Sequence, residues 1–220
     1  MIERLLPGEL AWEETFTDPP EAWLFDEESQ VIARAVDKRR REFTTVRHCA
    51  RNALAKIGVP AAPLLPGERG APGWPEGVAG SMTHCLGYRA AVVGRQETVL
   101  TVGIDAEPHD ALPDGVLEAV TLPAERGRIT ELSTSDSSLH WDRILFSAKE
   151  SVYKAWFPVA REWLGFEDAE LTIARDGAFH AQLLKRGPDV EGAPLDSFTG
   201  RWLAADGLII TAITRLRTTG

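Results

Sequence analysis

The chain has 220 residues, of which 44% are hydrophobic and 26% charged, the balance of an ordinary globular protein long enough to bury one core or two. A net charge of −9 excludes a general nucleic-acid binder, which needs a basic footprint, so any phosphate site has to be a local basic patch. No apolar run approaches the ~20 residues that span a bilayer, and the start Met1-Ile2-Glu3-Arg4 carries no signal-peptide pattern, so no membrane association and a cytoplasmic location are expected, with Cys49 and Cys85 as free thiols.

Residues 1–27 are rich in Trp, Phe, Glu and Pro and predict a short strand over 9–16 followed by a loop. Residues 28–57 predict a long helix or a helix pair. Val31, Ile32, Ala35, Val36, Phe43, Val46, Ala50, Leu54 and Ile57 are its core positions and Gly58 its C-terminal stop. The same stretch carries Lys38-Arg39-Arg40-Arg41, then Arg47, His48 and Arg51. A run of this kind is ordinarily a solvated face. Arg39, Arg47 and Arg51 are nevertheless spaced so that one helix face could present all three, and a cluster of planar guanidinium forks is also what binds an isolated phosphate.

Residues 58–80 are dense in Gly and Pro and predict a long loop. Ser81-Met82-Thr83-His84 follows, where His84 alone reads as a hydrogen-bonded structural histidine. A strand over 88–93, a turn at Gly94-Arg95 and a second strand from Val99 predict a hairpin. The second strand ends in Ile104-Asp105-Ala106-Glu107-Pro108. Side chains at i and i+2 of extended chain point the same way, so Asp105 and Glu107 converge on one face before Pro108 breaks the pairing. Such acids are either solvated on a loop or repel until a cation sits between them, and hard oxygen ligands are how Mg²⁺ is held.

Residues 110–138 predict loop and short helix, with Thr134-Ser135-Asp136-Ser137-Ser138 as a mobile surface segment. A helix follows, in which Leu145, Ala148, Val152, Ala155 and Trp156 form an apolar stripe and Pro158 is expected to be the stop. Glu150 and Lys154, four apart, share a face. That pair also reads as a weak surface ion pair, and Ser147-x-x-Glu150 as a capping box. Apolar periodicity upstream at Leu139 and Ile144 puts Ser147 inside the helix rather than at its start. The remainder predicts β structure: strands over 171–175 and 179–184, a polar loop over 186–200, and a hairpin of 201–205 with 208–215 turned by Asp206-Gly207.

Val102-Gly103-Ile104-Asp105-x-Glu107 together with Phe146-Ser147-x-Lys149-Glu150-x-x-x-Lys154 resembles the paired signature motifs of the larger, Sfp-type phosphopantetheinyl transferases, with the nearest likeness to actinobacterial members. The resemblance implies an α/β fold of the α+β type, built as two similar halves in a pseudo-dimer, here 1–104 and 105–220, and a monomer. It implies transfer of 4′-phosphopantetheine from coenzyme A to a serine of acyl or peptidyl carrier protein domains in polyketide, nonribosomal peptide or fatty-acid synthases, releasing 3′,5′-ADP with Mg²⁺, for which Mn²⁺ could substitute. Asp105, Glu107 and Glu150 would bind the metal. Glu150 would alternatively or additionally be the general base, and Lys154 would meet the diphosphate. Lys149 would be a further phosphate contact, Arg39 and Arg47 would hold the 3′-phosphate, and Thr83 and His84 would lie against the coenzyme A phosphates. Where some relatives carry a lysine this chain has Pro66, and Arg69 would stand in for it. Two rival readings are a Mg²⁺-dependent hydrolase of phosphoanhydrides and a non-catalytic coenzyme A-binding regulator; loss of one acid would favour the latter, and all three are present.

Overall fold

A computed structural model describes residues 1–218. In chain order the elements are β1 (Ala11–Thr15), α1 (Asp26–Val31), α2 (Asp37–Lys56), β2 (Val78–Cys85), β3 (Tyr88–Arg95), β4 (Val99–Pro108), α3 (Val116–Val120), α4 (Pro123–Ser135), α5 (Trp141–Ala160), β5 (Ala169–Ile173), β6 (Ala178–Leu183), β7 (Asp189–Val190), β8 (Ala193–Pro194), β9 (Ser197–Ala205) and β10 (Leu208–Leu216). The strands form an antiparallel three-stranded sheet, β1-β3-β2, an antiparallel five-stranded sheet, β4-β10-β9-β6-β5, and a small β7-β8 ribbon. This is the α/β class that the resemblance implies.

Each large sheet is covered by one long helix. The α2 stripe of Cys49, Ala50, Ala53 and Leu54 packs with Ala91 and Val93 of β3, while Ala90 and Val92, on the other face of the same strand, enter a second core with Val102, Ile104 and Ile210. Burial on both faces explains why β3 reads as a continuous apolar run. Helix α5 lays Trp141, Ile144, Leu145, Ala148, Val152 and Trp156 onto Leu171, Phe179, Ile209 and Ile213 of the five-stranded sheet.

Several expectations are corrected. The helical region is a pair, and α2 ends as expected at Gly58, which takes a left-handed φ of +70°. Val31 and Val36 flank the break between α1 and α2, off the inward stripe, and are exposed, Val36 at 73%. Pro158 lies inside α5, which runs on to Ala160 and ends at Arg161 in a left-handed conformation. The ring removes one backbone donor, and the Arg161 N–H to Phe157 carbonyl bond still closes the last turn. Thr134 and Ser135 belong to α4.

The largest correction concerns β3 and β4, which are not a hairpin. β4 pairs with β10, with Asp105 opposite Thr211. Its other edge meets β2 through side chains: the Ile104 N–H donates to Ser81 Oγ and the Ala106 N–H to Thr83 Oγ1, both at 3.0 Å. β4 therefore belongs to the second sheet from Val99 onwards, and the expected division at 104/105 falls within a continuous strand. Close contact with α5 is set at Gly103, where any Cβ would run into the Ser151 carbonyl and the Ala155 backbone. Among the described residues no helix is long and apolar enough to cross a membrane.

Candidate active site

One face of α5 carries Arg143, Ser147, Glu150 and Lys154, spaced by four, three and four residues, the rhythm of a single helical stripe. Gly103 brings that stripe against the end of β4. Lys154 Nζ donates to Asp105 Oδ1 at 2.7 Å and to the Ile104 carbonyl at 3.0 Å. Ser147 Oγ donates to Asp105 Oδ2 at 2.9 Å, and Thr83 Oγ1 to Oδ1 at 3.3 Å. Asp105 is thus only 5% exposed yet has hydrogen-bond donors at both carboxylate oxygens, as a buried anion requires.

The other two acids differ. Glu107 accepts from Arg143 Nη1 at 2.9 Å. Burial pushes its carboxyl above the ordinary range, the Asp105 charge adds to that, and Arg143 and Lys154 oppose it. Glu150 is half-buried and its carboxyl is likewise raised, by burial first and then by Asp105, with Lys154 opposing. Among the described residues Glu150 has neither a hydrogen-bond nor an ion-pair partner. A raised carboxyl beside a second acid, with no direct countercharge, marks a place where positive charge is short.

A cleft of about 790 Å³ opens beside this stripe. Glu150, Tyr153, Lys154 and Phe157 of α5 line it on one side; Arg39 and Arg47 of α2, His84 and the Gly/Pro loop around Arg69 line the rest. Arg39 Nη1 lies 2.7 Å from His84 Nε2. A guanidinium can only donate, so Nε2 accepts and the proton of the neutral ring sits on Nδ1, which faces Glu42 at 3.7 Å. Burial lowers the His84 pKa, with Glu42 opposing. Arg69 stacks over the Trp163 ring, 5.3 Å from its centroid.

The expected residues therefore sort into two groups. Asp105, Glu150, Lys154, Arg39 and His84 gather on or beside the cleft, with Arg47 at its edge. Arg47 is buried: its Nε donates to the Leu64 carbonyl at 3.0 Å, Glu28 lies 3.6 Å away, and desolvation lowers its pKa to about 10. Arg51 turns away from the cleft to Glu28, at 3.1 Å, so the three arginines do not share one open phosphate face. Thr83 spends its hydroxyl on Asp105 and the Ala106 N–H rather than facing the cleft. Lys149 is a correction. One residue from Glu150 is about 100° around the helix, and its side chain, 2% exposed, pairs with the fully buried Glu125 at 2.9 Å and donates to the Phe166 and Ala169 carbonyls. Burial lowers its pKa against the pull of Glu125.

Among the described residues no three acidic, histidine or cysteine side chains stand together as a metal-binding group. Glu107 meets Arg143 through one carboxylate oxygen, Oε2. Asp105 and Glu150 do fit a hard divalent cation, by their oxygen chemistry and by the charge deficit at Glu150. Sequence reasoning missed Arg143, whose signal is its place on the stripe that ends at Lys154.

Residues 27–94 match the family model described as the 4′-phosphopantetheinyl transferase N-terminal domain, and residues 101–202 match that of the 4′-phosphopantetheinyl transferase superfamily. The chain belongs to the 4′-phosphopantetheinyl transferase superfamily. It is 54% identical to the 4′-phosphopantetheinyl transferase PptT of Mycobacterium tuberculosis, over 97% of both chains. It is also 54% identical to the transferase Svp of Streptomyces mobaraensis, over 97% of this chain and 88% of that one, and 50% identical to Npt of Nocardia iowensis, over 97% and 99%. In this transferase the two matched stretches part between residues 94 and 101, at the connection from β3 to β4.

Proposed function

We propose that this transferase moves 4′-phosphopantetheine from coenzyme A to the serine hydroxyl of an acyl or peptidyl carrier protein and releases 3′,5′-ADP. One observation carries the reading: a single cleft has the unpartnered Glu150 and the Lys154 ammonium on one wall and the Arg39–His84 pair on another. That layout suits a long substrate anionic at two places, the 3′-phosphate and the diphosphate.

In the reaction the serine oxygen attacks the phosphorus that bears pantetheine, the anhydride P–O bond to the nucleotide breaks, and the serine proton must be accepted. Glu150 takes that proton. It lines the cleft with no hydrogen-bond or ion-pair partner among the described residues, so a carboxylate oxygen is free to accept the proton. Lys154, held by Asp105 and the Ile104 carbonyl, stabilises the charge that grows on the departing 3′,5′-ADP. Arg39 supplies a charged donor to the far phosphate, and Ser147 and Thr83 fix the Asp105 carboxylate. Asp105 and Glu150 would hold Mg²⁺, which supplies positive charge at the diphosphate when bound.

The test is intact-protein mass spectrometry of an apo carrier protein incubated with the transferase, coenzyme A and Mg²⁺. The expected result is a gain of one phosphopantetheine that disappears when the carrier serine is replaced by alanine or the metal is withheld. Release of 3′,5′-ADP with no carrier present would point instead to hydrolysis.

A further inference from the structure

We infer that His84 and Glu42 form a proton-loading pair: the ring is neutral in the free protein, and binding of coenzyme A loads a proton onto Nε2, which then donates to a substrate phosphate. Glu42 is the positioning residue of the pair, holding the Nδ1–H and balancing the imidazolium. The inference rests on the coenzyme A binding proposed above. It goes beyond that reading by assigning a protonation change and by giving a role to an acid that lies outside the signature motifs and outside the lining of the cleft.

His84 stands on β2 and lines the cleft. Arg39 Nη1 approaches its Nε2 at 2.7 Å, which keeps that nitrogen an acceptor. On the other side Glu42 Oε2 lies 3.7 Å from Nδ1, and the second carboxylate oxygen lies 3.9 Å from Lys38 Nζ. Both are charge contacts, longer than hydrogen bonds, so an acid only 8% exposed is held beside a neutral ring with its charge incompletely matched. Burial opposes protonation of the ring most, Arg39 of α2, Lys154 of α5 and Arg89 of β3 add to that, and Glu42 favours it. The acids of β4, Asp105 and Glu107, are engaged by Lys154 and Arg143.

Substrate reverses this balance. Arg39 and Lys154, two of the three cations that keep the ring neutral, are the two assigned to the phosphates, and once they face anions their charge is matched. The third, Arg89, is already matched by Asp18 at 3.3 Å. Glu42 stays where it is. A phosphate oxygen and a bare Nε2 are both acceptors, and they repel unless a proton lies between them. That proton comes from solvent and adds to the Nε2 lone pair, and the imidazolium then donates at both nitrogens, to the phosphate and towards Glu42.

The experiment reads the ring directly, in the full chain with Mg²⁺ throughout. The chain has five histidines, so labelling histidine with ¹⁵N gives a small set of imidazole signals, and His84 is assigned by replacing the histidines one at a time. At about pH 7, where the 3′-phosphate is already mostly a dianion, the free protein should show a neutral ring with its proton on Nδ1. Saturating coenzyme A should raise the midpoint of the ring by about one pH unit or more, and affinity measured by calorimetry should fall by up to about tenfold per pH unit above the new midpoint. In Glu42→Gln the midpoint of the complex, and the fall in affinity with it, should move down by about half a pH unit or more. A purely structural loss would weaken binding alike at every pH. A midpoint unmoved by bound coenzyme A would overturn the inference, as would a free ring with its proton on Nε2; both readings use the unaltered protein and hold whether or not Glu42→Gln folds. A Glu42→Gln titration that coincides with the unaltered one would strike Glu42 from the pair. Absence of any binding heat would bring down the coenzyme A reading itself, and this inference with it, whereas binding without a shift at His84 sinks the inference alone.

Discussion

Helices α2 and α5 each run for 20 residues over a sheet, and both carry a row of charges, but they use them in opposite ways. The inward charges of α2 are largely consumed within its own half. Arg51 and Arg47 converge on Glu28, which is 0% exposed and also accepts from the Leu64 N–H. In α5 the stripe faces the end of a strand from the second sheet and leaves Glu150 unmatched. A charge cluster whose members satisfy one another is structural. A cluster with one member left over beside a cleft is where chemistry is to be sought.

The sharpest way to break this contrast is at Glu150. Glu150→Gln keeps the shape and removes the base, so transfer measured by carrier mass should fall by about 10³-fold while the circular dichroism spectrum is unchanged. Glu28→Ala should do the reverse, costing about 3 kcal/mol in urea unfolding because two buried guanidiniums lose their anion; a variant of unchanged stability would undo the structural reading of the α2 cluster. Arg39 is the exception within α2, since it is exposed and lines the cleft, so Arg39→Ala should raise the KM for coenzyme A by about tenfold with little change in melting temperature. The smallest effect separates function from stability at a single residue. The folded pKa of Glu150 is raised, so its ionisation costs stability as pH rises from the unfolded carboxyl value through the folded one. Glu150→Gln should therefore melt higher than the unaltered protein near neutral pH, with the gap closing as pH falls below about 4.3.

Much of this was legible in the chain. The apolar stripe of α5, the left-handed stop at Gly58 and the Asp206-Gly207 turn between β9 and β10 follow from local chemistry, and so do Glu150 and Lys154 on one face. The illegible parts depend on partners distant in sequence. A short turn between β3 and β4 looks like a hairpin until β10, more than a hundred residues on, takes the strand. The resemblance implies a phosphate contact at Lys149, whereas Glu125 on α4 decides where it goes. Glu107 matched a metal-ligand pattern, and only the fold brings Arg143 to it.

The hydroxyls of Ser81 and Thr83 that close the outer edge of β4 have a consequence for the cohesion of the two sheets. The amides of Ile104 and Ala106 are sealed against β2, and their acceptors are supplied by side chains rather than by another strand. Ser81→Ala or Thr83→Val would leave a buried amide without an acceptor on the strand that carries Asp105, and a lower midpoint in urea unfolding would be the first sign of the loss.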